Sequence, residues 1–512
     1  MKTFAAIDVG SYEVAMKIFE ISAKIGIRQI DHIRRRIELG TDTYNTGKIN
    51  TERMNELCVV LAEFNKIMKS YKVDDYKAYG TSAVRETENT MIVIEQIKLR
   101  TGIKVDVLSN SEQRFMHYKA VASRGETFEN IMKDSCAIVD IGGGSIQISL
   151  FDKDALVTTQ NIRLGILRVK DMLSALLVKN VNYVQILGEL IDNQLKSFKS
   201  LYLGDRRINN IIVVDDYVSQ AMKRINNNND RISRKEFVEI INKYRGKSVE
   251  FISSELSLDE ESVLLLPQSI VLLHKITEMM EAKHLWAPGV SLSDGIAYEY
   301  AENNKLLSVK HDFEADILAG AEALCKRYGG NLERNRLVES VALTVFDDTK
   351  KIHGCSNRDR LLLRVAARLS DCGKYISLEA AAECGYEIIM VTEMIGLSHK
   401  EREIIANVVR YNKVAFEYYK ERFAPTSLDR NTYLTVAKLT AIFRVADGIC
   451  RSYRTKLNGI KTMIKEDELI ITIDSDEDFS LEKGFFGRKS GFFEEVFSLK
   501  PVLRNKKRLN AL

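Results

Sequence analysis

Two stretches of this chain share one phrase, and that repetition limits the possible folds more than any single motif does. Phe4-Ala-Ala-Ile-Asp8-Val-Gly10-Ser11 leads into an apolar segment from Val14 to Phe19. Cys136-Ala-Ile-Val-Asp140-Ile-Gly142-Gly143-Gly144-Ser145 leads into Ile146-Gln147-Ile148-Ser149-Leu150. Each reads as a buried strand, an aspartate near its end, a glycine turn and a second strand. The alternation after Ser145 is the period-2 signature of a half-buried strand. Glycines let the main chain approach a ligand closely, and their N–H groups can converge on an anion. A carboxylate on the lip of such a turn repels a bare phosphate and suits one that arrives with a divalent cation. The two aspartates stand about one domain length apart, so the phrase marks two related α/β lobes facing a shared cleft.

Composition narrows the class. The chain has 512 residues, 45% of them hydrophobic and 29% charged, with room for several domains. A net charge of +4 is too small to argue for a nucleic-acid partner. Seven scattered cysteines with no C-x-x-C pair predict reduced thiols in a cytoplasm, not a disulfide framework or zinc site. Asp8 interrupts the apolar start, and no uncharged run reaches the roughly 18 residues of a membrane span. A soluble, cytoplasmic protein is expected.

Along the chain, Arg34-Arg35-Arg36 reads as a solvated strand end, and the spacing from Thr51 to Tyr71 predicts a helix. Thr81-Ser82-Ala-Val-Arg85 reads either as an anion contact or as a capped helix start with a surface arginine. Ser111 is expected to cap the next helix, putting Glu112 in its first turn. The Asn226–Asp230 stretch reads as a polar loop, and the stretch from Leu306 to Leu457 as helical throughout. After Asn458 the period changes to a strand, Leu469–Ile473, and an amphipathic helix from Phe492, before a basic end at Arg504, Lys506, Lys507 and Arg508.

In order and wording these segments resemble the exopolyphosphatase / guanosine pentaphosphate phosphatase (Ppx/GppA) family. The resemblance rests on the Asp8-x-Gly-Ser hairpin, Thr81-Ser-Ala-Val-Arg85, Val107-Leu-Ser-x-x-Glu112, Asp140-Ile-Gly-Gly-Gly-Ser145 and Leu164-Gly165-Ile-Leu-Arg168. Leu265-Leu-Pro267 and Val290-Ser-Leu-Ser-Asp294-Gly295 follow in order. It implies an α/β fold of duplicated actin-like (ribonuclease H-like) domains, residues 1–125 and 126–304. An all-α HD-like domain, 305–457, and a small α+β cap, 458–512, would follow. The implied activity is Mg2+-assisted removal of the terminal phosphate from inorganic polyphosphate or guanosine pentaphosphate. Gly10, Ser11, Gly142, Gly143, Gly144 and Ser145 would cradle that phosphate, with Arg85 and Arg168 clamping its oxygens. Asp8 and Asp140 would hold the Mg2+ ion or its water shell. The family's two water-directing glutamates fall at Glu112 and at position 147.

Position 147 departs from that pattern. Gln147 can hold a water but cannot take its proton at neutral pH. Tyr12, Glu13, Asn110, Ile146 and the pair Asp215-Asp216 depart as well. In the HD-like region the metal-binding residues are replaced by Ser370, Cys384 and Asn412, leaving Asp371, while His353 and His399 read as surface residues. This region is expected to be structural, regulatory or dimer-forming, which points to a homodimer. Arg444-Val-Ala-Asp447 is expected to belong to its core ion pairing. Two functions stay open: a hydrolase working through Glu112, and a weakened polyphosphate- or nucleotide-binding sensor or scaffold.

Overall fold

The computed structural model describes residues 1–169, 183–226, 230–244, 247–258, 260–307, 311–418, 428–451, 459–474 and 478–505. It divides into two compact units, Met1–Asp312 and Phe313–Leu512. The centre of the Asn226–Asp230 loop and the basic residues beyond Asn505 lie outside the described residues.

The first unit holds two sheets with one wiring. In the first, β1 (Lys2–Val9), β2 (Glu13–Ser22) and β3 (Gly26–Arg36) form an antiparallel meander, and β4 (Asp75–Gly80) and β5 (Asp106–Val107) add in parallel, in the order β3-β2-β1-β4-β5. In the second, β6 (Cys136–Ile141), β7 (Ile146–Asp152) and β8 (Ala155–Ile162) repeat the meander. There β9 (Asn210–Val214), β10 (Arg231–Ser233) and β11 (His284–Trp286) complete the order β10-β11-β9-β6-β7-β8. Five strands of each sheet correspond, a three-stranded meander and two parallel strands, and β10 adds antiparallel to β11 at the edge of the second sheet.

The helices of the first lobe are α1 (Leu39–Thr46), α2 (Thr51–Ser70), α3 (Ser82–Glu86), α4 (Thr90–Thr101), α5 (Asn110–Ala122) and α6 (Glu126–Met132). Period-2 side-chain alternation splits β1 between two cores. Ala5, Ile7 and Val9 meet Leu57, Leu61 and Phe64 of α2, whereas Phe4 and Ala6 meet Leu292, Ile296 and Ala297 of the Leu292–Asn303 helix. That helix follows the second lobe in sequence yet packs on the first sheet and across α5. Gly295 permits the crossing: a Cβ there would lie 1.9 Å from the Met116 carbonyl. The Glu260–Met280 helix contains an apolar window, Val263–Met280, half of it buried against the second sheet's core.

One local expectation changes, and the solvated strand end at 34–36 holds. Ser109, not Ser111, caps α5, and Ser111 is buried inside the helix. The Ser109 hydroxyl accepts from Glu112 N while Glu112 Oε2 accepts from Ser109 N, a reciprocal capping box that satisfies two end amides at once. The arginines 34–36 are paired with Glu13, Glu63 and Glu38 at the sheet edge.

The second unit packs helices 313–327, 332–348, 357–369, 381–391, 399–411 and 430–449 around one apolar core. It is completed by a sheet of β12 (Gly459–Lys465), β13 (Glu468–Asp474) and β14 (Lys500–Asn505) with the Ser480–Phe497 helix. His353, expected at the surface, is fully buried. Its Nε2 donates to Phe346 O at 2.8 Å and its Nδ1 accepts from Cys355 N at 2.9 Å, so a neutral ring closes the turn after a helix. Asp447 is held by Arg334 at 2.6 Å and Lys489 at 3.1 Å, and Asp371 by Lys374 at 2.6 Å. Arg444 instead donates to the carbonyls of Tyr411 and Val414.

Candidate active site

The two glycine turns meet. An atom added as Cβ on Gly143 would lie 3.1 Å from Ser11 Cβ, and one on Gly144 only 2.4 Å from the Tyr44 hydroxyl oxygen. Glycine is required there because the turn from β6 to β7 presses against the turn from β1 to β2. Ser11 Oγ sits 2.8 Å from Tyr44 Oη and 2.7 Å from Ser82 Oγ, and Tyr44 donates to Ser82 at 3.0 Å. Three hydroxyls from the Asp8 hairpin, α1 and the start of α3 thus form one polar cluster under the triple glycine. Burial pushes the Tyr44 phenol up, partly offset by its bonds to Ser11 and Ser82.

The triple-glycine turn is fastened from behind. Ile166 N donates to Gly142 O at 3.0 Å, Leu167 N to Gly143 O at 2.9 Å, and Arg168 Nε to Gly144 O at 2.8 Å. Gly165 fits so closely that a Cβ would lie 2.3 Å from both Gly143 O and Ser145 N. With their carbonyls engaged, the Gly143 and Gly144 amides have no protein acceptor among the described residues. Two adjacent backbone donors without a protein acceptor are groups that can bind an anion.

Of the charged candidates, Arg168 touches this turn directly. Arg168 also pairs with Glu86 and stacks over Tyr44, its guanidinium carbon 4.3 Å from the ring centre. Arg85 donates to Leu108 O at 2.7 Å and to Gln113 Oε1 at 3.3 Å, which brings it to the start of α5. Glu112 Oε2 is fixed by Ser109 N at 2.9 Å and Ser109 Oγ at 2.6 Å. Its Oε1 has no protein partner among the described residues. Tyr79, the register partner of Asp8, has its hydroxyl pushed up to about 12 by burial and then by the carboxylates of Glu299, Asp106 and Glu112.

Asp140 and Gln147 lie directly opposite each other on β6 and β7, on the face that meets α5. His117 Nδ1 is 2.5 Å from Asp140 Oδ2, and Arg114 Nε donates to Gln147 Oε1 at 3.1 Å. Arg114 also reaches Thr159 Oγ1 at 2.5 Å, and Thr159 Oγ1 meets Ser149 Oγ at 2.9 Å. Gln147, 3% exposed, is therefore locked in a buried polar chain. Tyr44, Arg114 and His117 escape the sequence reading. The signal for the last two is their i, i+3 spacing, which places both on one face of α5.

Among the described residues no group of three or more His, Cys, Asp or Glu gathers as a metal cage. Asp140 Oδ1 has no protein partner among the described residues, and Asp8 stands near the end of β1 as Asp140 does of β6, a set of hard carboxylate oxygens. That set suits Mg2+, an ion usually held by one or two carboxylates with substrate phosphates and waters completing the shell.

Comparison with known proteins identifies the family and the fold. The sequence pattern of the Ppx/GppA phosphatase family matches residues 17–304, and that of Ppx/GppA phosphatase domain III matches residues 318–485. A guanosine-5'-triphosphate,3'-diphosphate pyrophosphatase of Vibrio atlanticus is 20% identical over 466 residues, covering 86% of each chain. Exopolyphosphatase 1 of Mycobacterium tuberculosis is 27% identical over 144 residues, 28% of this chain and 40% of that one. The crystal structure of the Aquifex aeolicus Ppx/GppA family member covers 59% of this chain and 98% of its own, with a TM-score of 0.50 at 19% identity. That of an exopolyphosphatase-like protein covers 59% and 99%, with a TM-score of 0.51 at 17% identity. At these identities the structural likeness speaks for the fold.

Proposed function

The chain belongs to the Ppx/GppA phosphatase family, and on that premise we propose that it removes the terminal phosphate of inorganic polyphosphate or guanosine pentaphosphate with Mg2+. The observation that carries this reading is the fastened triple-glycine turn, whose Gly143 and Gly144 amides are left for a ligand beside Ser11 and Ser82. Phosphoryl transfer depends on positioning and on neutralising oxygen charge. The terminal phosphate would seat against these amides and hydroxyls. Arg85 and Arg168 would turn from their present partners to its outer oxygens. Asp8 and Asp140 would hold Mg2+, which when bound neutralises charge on the phosphate oxygens.

Glu112 is the residue we assign to the attacking water. Its Oε2 is anchored by the capping box, so Oε1 presents a lone pair in a fixed place, and a positioned carboxylate can both orient water and take its proton. Gln147 would orient water through its amide without accepting a proton. We read the second unit as an HD-like module in which Arg334, Lys374 and Lys489 stand around Asp371 and Asp447 where such modules hold metal. A homodimer and a cytoplasmic location complete the reading.

A second reading is favoured by one observation: Gln147 is bonded to the buried Arg114, which makes the face of β7 a polar anchor and not a base. A sensor that binds polyphosphate without cleaving it would look the same. Phosphate release with Mg2+ from long-chain polyphosphate and from guanosine pentaphosphate separates the two. Release from either supports the hydrolase. Retained binding with no release supports the sensor, and neither binding nor release overturns both.

A further inference from the structure

Among the described residues the chain crosses between the lobes of the first unit twice, and a cavity lies against both crossings. One crossing runs from the end of α5 through α6 to Ser135; the other is the 287–291 segment between β11 and the Leu292–Asn303 helix. Arg124 joins them, its Nη2 donating to Pro288 O at 2.9 Å and Gly289 O at 3.4 Å. Between this tie and strands β2 and β3 is a cavity of about 520 Å³, within the size range of small-molecule sites. None of residues 8–11 or 140–145 lines it, so it is separate from the phosphate seat.

Lys17 on β2 gives the cavity its chemistry. It is 7% exposed on a strand whose neighbouring positions are apolar, and a buried ammonium is costly unless it is paired. Asp294 Oδ2 at 2.7 Å takes one of its three N–H groups, and no other described residue accepts from it. The same Asp294 oxygen also receives Ser291 N at 2.7 Å and Ser291 Oγ at 2.9 Å. The remaining donors of Lys17 belong to a side chain that lines the cavity together with Phe128 and Tyr298.

We infer that this cavity binds a small aromatic monocarboxylate, its carboxylate on Lys17 and its ring against Phe128 and Tyr298. The formal charges of Lys17 and Arg124 cancel those of Asp294 and Glu129 in the wall. A monoanion therefore gains an ammonium partner, whereas a dianionic phosphate would crowd two carboxylates. Because both crossings build the wall, a ligand here would tie the two connecting segments together, which gives the site a regulatory role.

Phenylacetate serves as the probe, titrated into the full chain by calorimetry, with phenethylamine as the cationic counterpart. Saturable phenylacetate binding is expected, with hydrogen-exchange protection in 122–129 and 287–294 but not in 140–147. Lys17→Met should weaken it about 10- to 100-fold, the loss of one charge-assisted bond. Should that variant fail to fold because Asp294 is left buried, Ile27→Trp fills the rim without touching the ion pair and should weaken binding likewise. The inference is overturned by no saturable phenylacetate binding, by equal binding of phenethylamine, by protection centred on 140–147, or by binding that folded variants leave unchanged.

Discussion

Asp140 and Asp447 are both buried aspartates set in interior elements, and their neighbours treat them in opposite ways. Asp447 is gripped by Arg334 and Lys489, with Asp371 and Lys374 beside it, so its charge is spoken for within the second unit. These cations hold its carboxyl below the usual carboxylate range, against the upward push of burial. Asp140 has His117 on one oxygen and an uncharged Gln147 opposite, and the amides of a glycine turn stand next to it. Burial alone therefore does not make a carboxylate a ligand site. What decides is whether the fold supplies a fixed cation or leaves the charge to be met from outside.

Substitutions test that contrast, in decreasing order of effect. Glu112→Gln keeps an acceptor for the Ser109 cap but removes the base, so phosphate release should fall by about 10²–10⁴ with melting unchanged. A variant that still turns over at the wild-type rate would remove Glu112 from the chemistry. Arg334→Met leaves Asp447 and Asp371 short of a buried partner and should lower the stability of the second unit by about 3–5 kcal/mol in denaturant titration. Asp140→Asn, in the same titration, should cost far less, since no fixed cation loses its partner; equal losses would erase the contrast.

Third, Gly165→Ala pushes a methyl into the Gly143–Ser145 backbone and should cost about 1–3 kcal/mol while lowering affinity for phosphate. Unchanged binding would show that the turn does not need its backing. The smallest effect concerns His353, whose pKa burial lowers. The native state binds fewer protons than the unfolded one, so this contribution is present above the usual histidine value of about 6.5 and is lost as pH falls below it. His353→Gln should flatten that part of the stability–pH curve; an unaltered slope would mean the ring titrates normally.

The duplicated hairpins were legible because the strand–Asp–turn phrase is local and occurs twice, and their meeting across the cleft follows from that duplication. The cap of α5 was legible in principle, since Ser109-Asn-Ser-Glu112 spells a capping box, but a second serine at 111 offers a competing start. The partners of Asp447 were beyond reach: Arg334 lies 113 residues away, and only tertiary packing brings it there. His353 was misplaced for a related reason. Its ring bonds and its contact with Phe346 are short-range, but Lys438, 85 residues away, donates to its carbonyl and belongs to a helix distant in sequence. Arg114 and His117 fell between the cases, carrying a helical spacing without any local hint of what they face.

The backing of the glycine turn has an evolutionary consequence. Because Gly165 nests on Gly143–Ser145 and the next three residues grip the turn's carbonyls, segments 136–152 and 162–168 must drift as one block. A hairpin transplanted from a relative without its matching downstream peptide would arrive with loose carbonyls and a collapsed seat, so recombination between homologues should tolerate breakpoints outside this pair of segments and reject those between them.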